Sequence, residues 1–330
     1  MQASVVVPTH RGAHRLPDLL DAMARQDFDG PWELIVVVDG VVDDSPAILE
    51  SYRDHLPLRT IVHETSQGVV AVLNDAFSTA TGDVLIRCDD DLTPGPSFVS
   101  RHVSHHAGRT DVGVIGPTRD VFPETPYARV YGRPATERSL SAAYARPEQD
   151  RWIGWAANNS IHRQAWTCSG GFDPRFVYGQ DSELGWRLVH DCKVTLIVDR
   201  ELQVDHRGPS TRAATRIPRA FVSGASKRLF YRVHPEPSRA SSPRGGVKDR
   251  VWRAGVLGLS STVTTKPGYE RVGRVLDRLL DFGSGQLGAR LTALCVEAAG
   301  ASGLRHGVDD LTVYKAQKSA ELALELGRTT

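Results

Sequence analysis

Short β-branched runs alternate with helix-spaced stretches over the first 120 residues, and this alternation limits the fold more than any other feature of the chain. Val5-Val6-Val7 comes first and ends in Pro8-Thr9-His10-Arg11. Leu16, Leu19, Leu20 and Met23 then share one helical face. Leu34–Val38 is a second apolar run, closed by Asp39-Gly40, and helical spacing returns from Pro46 to Tyr52. Leu58–Val62 reads as a third strand. Gln67-Gly68 opens a helix whose apolar side holds Val69, Val72, Leu73 and Ala76. Gly82-Asp83 breaks that helix, and Val84–Ile86 forms a fourth strand running into Asp89-Asp90-Asp91. Apolar strands separated by helices are buried on both faces, which predicts an α/β fold with a mostly parallel sheet. Ligands of such sheets sit at the carboxyl ends of the strands. Thr9, Asp39 and the three aspartates, all polar, stand at those ends.

Beyond residue 112 the pattern weakens. Pro117, Pro123, Pro126, Pro134 and Pro147 interrupt it, so residues 112–149 read mostly as loops and short strands. Val194–Val198 is another buried strand. Residues 207–232 carry seven basic side chains and no acidic one. Residues 236–246 read as a linker and 247–330 as a helical region, with a final helix over Lys315–Leu326. In that region Leu276, Leu279 and Leu280 form an apolar stripe for packing on the core or for a homodimer. The 40 Lys and Arg against 39 Asp and Glu give no support to nucleic acid as a partner. No apolar run approaches the length of a membrane span. The chain goes straight into a strand, so no signal peptide is expected. Cys88, Cys168, Cys192 and Cys295 form no CxxC pair, which points to buried thiols in a reducing, cytoplasmic setting.

Three constellations carry chemistry. Three adjacent carboxylates repel, by about 4 kcal/mol for a pair at 4 Å and an effective dielectric of 20. A hard divalent cation, Mg²⁺ or Mn²⁺, relieves that repulsion, and so does solvent around an acidic turn. Gly170-Gly171-Phe172-Asp173 precedes Tyr178-Gly179-Gln180-Asp181-Ser182-Glu183, which opens a helix. Two glycines admit a close ligand. Asp181 suits either a general base or a plain helix cap. His206 follows a strand and precedes the basic stretch, an arrangement that suits a diphosphate.

Together these pieces resemble the inverting, nucleotide-sugar-dependent glycosyltransferases of family 2, with the GT-A fold, over about residues 3–235. Val5–Arg11 looks like the family's first-strand signature. Val37-Val38-Asp39-Gly40 with Asp43-Asp44-Ser45 resembles its acidic turn, and Gln67-Gly68, Asn74 and Thr81-Gly82-Asp83 resemble its next segment. The resemblance implies a catalytic domain over 1–235. It implies donor-nucleotide contacts at Pro8, Thr9, Arg11, Asp39, Asn74, Asp89 and Asp90. It implies Mn²⁺ or Mg²⁺ at Asp91 and His206, with Asp89 as another ligand, and diphosphate contacts at Arg207 and Arg212. Gly170, Gly171, Asp173, Gln180 and Trp155 would line the donor sugar and acceptor, and Asp181 would be the base. Glu183, two residues along, is expected to point elsewhere and to tolerate substitution. The implied partners are a nucleoside-diphosphate sugar, most simply a UDP-sugar, and a hydroxyl acceptor: a small molecule, a glycan or a carrier-linked group. A lipid-linked acceptor would put the chain at the membrane periphery. Gln180 departs from the family's Glu, Leu73 from a common Arg, and one Asp precedes Gly40 where the family has two. The rival readings are a nucleotidyltransferase acting on a sugar phosphate and a non-catalytic nucleotide-sugar-binding protein.

Overall fold

The four opening runs form β1 (Ala3–Thr9), β2 (Trp32–Asp39), β3 (Leu58–His63) and β4 (Val84–Cys88) in a computed structural model that describes residues 1–235, 246–283 and 285–315. They pair in parallel in the order β3-β2-β1-β4. Six further strands follow: β5 (Leu92–Thr93), β6 (Val112–Ile115), β7 (Thr118–Asp120), β8 (Asn158–His162), β9 (Thr195–Val198) and β10 (Val204–His206). The large sheet has the order β3-β2-β1-β4-β8-β6-β9. Its β8 runs antiparallel between β4 and β6, while β6 and β9 are parallel. A small sheet, β5-β10-β7, stands beside it in the chain order.

Alternation along the strands fills two cores. Val5, Val7, Val36 and Ile86 face one, against α1 (Leu16–Ala24), α2 (Ser45–Ser51) and, after α3 (Val69–Thr79), α4 (Phe98–Ser104). Val6, Ile35, Val37 and Leu85 face the other, against α3. After α5 (Arg133–Ala145), that second face also receives α6 (Arg163–Ser169) and α7 (Gln180–His190). The fold is thus the mostly parallel sheet flanked by helices of the GT-A type.

Several expectations need correction. The proline-rich stretch contains α5, preceded by a π-helical turn over Ala128–Gly132. Helical structure is continuous over residues 126–145, and the π-helical turn lies immediately before Pro134, whose ring and missing N–H a regular α-helix interior would not accommodate. Strand β8 was not anticipated, because Asn158, Asn159 and Ser160 are polar and yet buried. Buried histidines satisfy two of them: His102 lies 3.0 Å from Asn158 Oδ1 and 2.9 Å from Ser160 Oγ, and His106 lies 2.9 Å from the same hydroxyl. Cys168 and Cys192 are joined in a disulfide, with Cα atoms 5.9 Å apart, so only Cys88 and Cys295 are the expected buried thiols. Sequence spacing cannot reveal such a pairing.

The chain divides into two compact units. The first comprises Met1–Val121, Thr136–Pro174 and Gln180–Pro209 and holds both sheets; the second comprises Phe122–Ala135, Arg175–Gly179 and the described part of Ser210–Thr330. This division does not follow the expected boundary at residue 235. The second unit packs α8 (Ala213–Val233), α9 (Val247–Thr262), α10 (Lys266–Asp281) and α11 (Gly285–His306) together. Asp277 accepts hydrogen bonds from Ala213 N and Ala214 N at 2.7 and 3.0 Å, which caps α8. Leu276 and Leu280 are buried in this packing and Leu279 is half exposed, so the leucine stripe is not a continuous surface. Residues 236–245 of the expected linker, and the final helix beyond Lys315, lie outside the described residues. No described helix is long and apolar enough to cross a membrane.

The histidine network carries a pH dependence. Burial pushes His102 down to about 3, against the hydrogen bond from its ring to Asn158 Oδ1 that would raise it and with His106 and His105 adding to the effect. Burial also pushes His106 down to about 4, helped by His162, His105 and Arg109. Both groups titrate lower in the folded than in the unfolded chain, so their contribution is present above about pH 6.5 and is lost as pH falls toward 4. Each should cost about 1 kcal/mol per pH unit in that window. Urea denaturation at pH 7 and pH 5 should show the loss, and His102→Gln should flatten it. An unchanged slope in that variant would rule the explanation out.

Candidate active site

The three aspartates after β4 meet three different cations. Arg87 sits inside β4, 2% exposed, on the same side of the strand as Leu85. Its Nε and Nη2 donate to Asp89 Oδ1 and Oδ2 at 2.7 and 3.0 Å, and its Nη1 donates to Asp181 Oδ1. Asp90 turns inward: Thr9 Oγ1 donates to it at 2.6 Å, and Arg15 donates through Nε and Nη2 at 3.1 and 2.8 Å. A Cβ on Gly12 would stand 1.9 Å from Thr9 Oγ1, so this turn requires glycine. Burial raises the Asp90 pKa against the pull of Arg15 and Thr9.

Asp91 meets His206. Register in the small sheet places His206 beside Leu92 on one side and Asp120 on the other. Its Nε2 lies 3.1 Å from Asp91 Oδ2 and its Nδ1 lies 2.6 Å from Asp120 Oδ1. Burial would favour the neutral ring, but the two carboxylates outweigh it and push His206 up to about 9. Burial likewise opposes ionisation of Asp91, and the His206 hydrogen bond and charge prevail to lower its pKa. Arg207 N donates to the Asp91 carbonyl at 2.8 Å, while its side chain pairs with Asp18. Arg212 precedes α8 in the other compact unit.

Among the described residues no cluster of three His, Cys, Asp or Glu side chains forms a ready metal site. Asp91 and His206 nonetheless bring a hard oxygen and an imidazole nitrogen within 3.1 Å of each other, with both side chains partly exposed. A Cβ on Gly208 would stand 2.3 Å from Asp91 Oδ2 and 3.2 Å from His206 Nε2. That donor pair fits Mn²⁺ or Mg²⁺, ions that are held by few protein ligands and complete their shells with phosphate and water.

The remaining expected residues have definite places. Asp39, 6% exposed, accepts from Gln67 N at 2.6 Å, from Gly68 N and from Ser66 Oγ at 2.8 Å, and so holds the turn that leads into α3. Pro8 precedes Thr9 at the end of β1. Arg11 has φ +52°, and its buried Nε has no hydrogen-bond partner. Asn74 holds the backbone of Phe172 at both ends, with Nδ2 donating to its carbonyl at 2.9 Å and Oδ1 accepting from its N–H at 2.8 Å. Gly170 and Gly171, both at positive φ, and Asp173 flank that anchor. Asp181 lies in the first turn of α7, with Gln180 Nε2 3.3 Å from its Oδ2. Trp155 corrects the expectation for it: the ring is 2% exposed in the second core and has no face left for a sugar.

Residues 4–169 match the sequence profile of Glycosyl transferase family 2. The chain belongs to glycosyl transferase family 2. It is 27% identical over 230 residues to a validoxylamine A glucosyltransferase of Streptomyces hygroscopicus subsp. jinggangensis, covering 60% of this chain and 53% of that one. It is 30% identical over 116 residues to the uncharacterized glycosyltransferase YfnE of Bacillus subtilis, covering 35% of this chain and 30% of the relative. The chain thus spans about half or less of the length of these relatives. Among solved structures, a mannosyltransferase from Pyrobaculum calidifontis, in complex with GDP-Man and Mn²⁺, superposes with a TM-score of 0.59 at 18% identity. That match covers 90% of this chain and 85% of the other.

Within this family 2 member, the sequence reading missed Arg87, Arg15, Asp120 and Arg187. Arg87 had a signal: a lone charge inside an apolar strand run. Arg187 donates to Glu183 through Nε and Nη2 at 2.7 Å each, to Gly171 O at 2.7 Å, and to Ser169 O, tying α7 to the glycine segment. Glu183 is 1% exposed. It points away from Asp181 as expected, but it is no tolerant surface position. Glu183→Gln should cost about 3 kcal/mol of stability by leaving Arg187 uncompensated. Denaturant unfolding would measure this, and a variant as stable as the parent would contradict it.

Proposed function

We propose that the first compact unit carries out inverting sugar transfer from a nucleoside-diphosphate donor to an acceptor hydroxyl. The observation that carries the reading is the joint placement of Asp91 with His206 and of Asp181 with Arg87 and Asp89, all converging at the end of β4. Family membership supports the transferase class, and the relatives named above include a glucosyltransferase and a mannosyltransferase solved with GDP-Man. A TarS structure from S. aureus, solved in complex with UDP, matches with a TM-score of 0.50. We take a UDP-sugar as the simplest donor.

In this reading Pro8, Thr9, Arg11 and Asp39 shape the nucleotide end of the site, Asp90 holds Thr9 in place, and Asn74 holds Phe172 beside the Gly170-Gly171 pair. Asp91 and His206 would hold Mn²⁺ or Mg²⁺, which would offset the charge of the departing diphosphate. Gly170, Gly171, Asp173 and Gln180 border the donor sugar and the acceptor. Asp181 removes the proton from the acceptor hydroxyl. The acceptor oxygen then attacks the anomeric carbon from the face opposite the leaving group, forming the new glycosidic bond as the old one breaks.

Turnover of UDP-glucose, UDP-GlcNAc or GDP-mannose with Mn²⁺ tests the reading. Release of a nucleoside diphosphate supports it, whereas release of pyrophosphate would favour nucleotidyl transfer. Excess EDTA should abolish turnover, and full activity in EDTA would refute the metal assignment. Asp181→Asn should lower kcat about 100-fold or more with donor affinity little changed. Asp91→Asn should instead lose donor affinity and metal dependence together.

A further inference from the structure

Arg87 has no role in the transfer chemistry described so far, yet it is the buried cation that joins two halves of the site. Strand alternation points it away from the first core, where Val84, Ile86 and Cys88 lie, and toward the side that α7 covers. It is 2% exposed, so it meets neither donor nor acceptor. Three of its nitrogens are engaged with carboxylates: Nε and Nη2 with both oxygens of Asp89, and Nη1 with Asp181 Oδ1. On Asp181 this leaves Oδ2 the less restrained oxygen, with a single 3.3 Å contact from Gln180 Nε2. A planar guanidinium gripping one carboxylate at two points and a second at one point fixes the second in orientation as well as distance. Burial alone would disfavour the charged guanidinium, but Asp181 and Asp89 outweigh it and raise its pKa.

We infer that Arg87 is a positioning residue that fixes Asp181 through Oδ1, presents Oδ2 to the acceptor hydroxyl, and ties that alignment to the aspartate turn carrying Asp91. The inference rests on Asp181 being the base. It predicts a role that lysine cannot fill, because a single ammonium on a flexible stem cannot bridge both carboxylates in this geometry.

The test compares the parent with Arg87→Lys, Arg87→Ala and Asp181→Asn, using whichever of UDP-glucose, UDP-GlcNAc and GDP-mannose the parent turns over with Mn²⁺. Arg87→Lys keeps the buried charge and should fold, which a thermal melt checks. Its kcat should fall about 10-fold or more while KM for the donor stays within about 3-fold. Arg87→Ala should fall further and recover at least several-fold in millimolar guanidinium, with no recovery in an equal concentration of ammonium. A loss of structure alone would not be repaired by one cation and ignored by the other. If Arg87→Lys keeps the parent's kcat while Asp181→Asn is inactive, the role of Arg87 is overturned and the base assignment stands. If Asp181→Asn is as active as the parent, the base assignment fails and this inference falls with it.

Discussion

Three consecutive carboxylates at the end of one strand cannot share one environment, and the site is organised around separating them. Asp89 receives Arg87, Asp90 receives Arg15, and Asp91 receives His206. Each partner comes from a different element: the strand itself, the start of α1, and the small sheet. This distribution turns a repulsive triplet into three anchored groups with different chemical prospects. Asp90 is consumed by structure, held against Thr9 at the end of β1. Asp89 is linked through Arg87 to Asp181. Asp91 alone faces a histidine, with Gly208 packed so close that a Cβ there would stand 2.3 Å from its Oδ2.

The same logic explains the small sheet. Three short strands contribute little core, but their register delivers His206 between Asp91 and Asp120. A histidine held by two carboxylates is fixed in ring orientation. On the other side of the large sheet, α7 is anchored from both ends. Its N-terminal turn presents Asp181 to Arg87, and Arg187, paired with the buried Glu183, donates to the carbonyls of Ser169 and Gly171. The Cys168–Cys192 disulfide joins the end of α6 to the residue pair following α7. Helix α7 and the glycine segment are thereby held as one piece with Asn74, which clamps Phe172 from α3.

The buried polar strand β8 shows how a sheet extends past the point where apolar patterning stops. Asn158 and Ser160 are tolerable in the interior because His102 and His106 of the α4 region and the Leu202 carbonyl satisfy them. Trp155 reflects the converse. An aromatic residue close in sequence to polar detail looked like a ligand contact, but the second core needed its bulk.

Local pattern alone made much of this legible. The apolar runs of β1 to β4, the helices between them, the polar strand ends and the ordered motifs were all readable, because each depends on residues a few positions apart. What only the tertiary structure decided was which charge meets which. Thr9 and Asp90 are 81 residues apart, Arg15 and Asp90 are 75 apart, and His206 and Asp91 are 115 apart. The antiparallel insertion of β8, the helix over the proline-bearing stretch, the cysteine pairing and the burial of Trp155, Glu183 and Arg87 belong to the same category. The cost of burying a charge or a polar group depends on partners that the chain brings together only by folding. A sequence can therefore announce three aspartates without saying which cation each one meets.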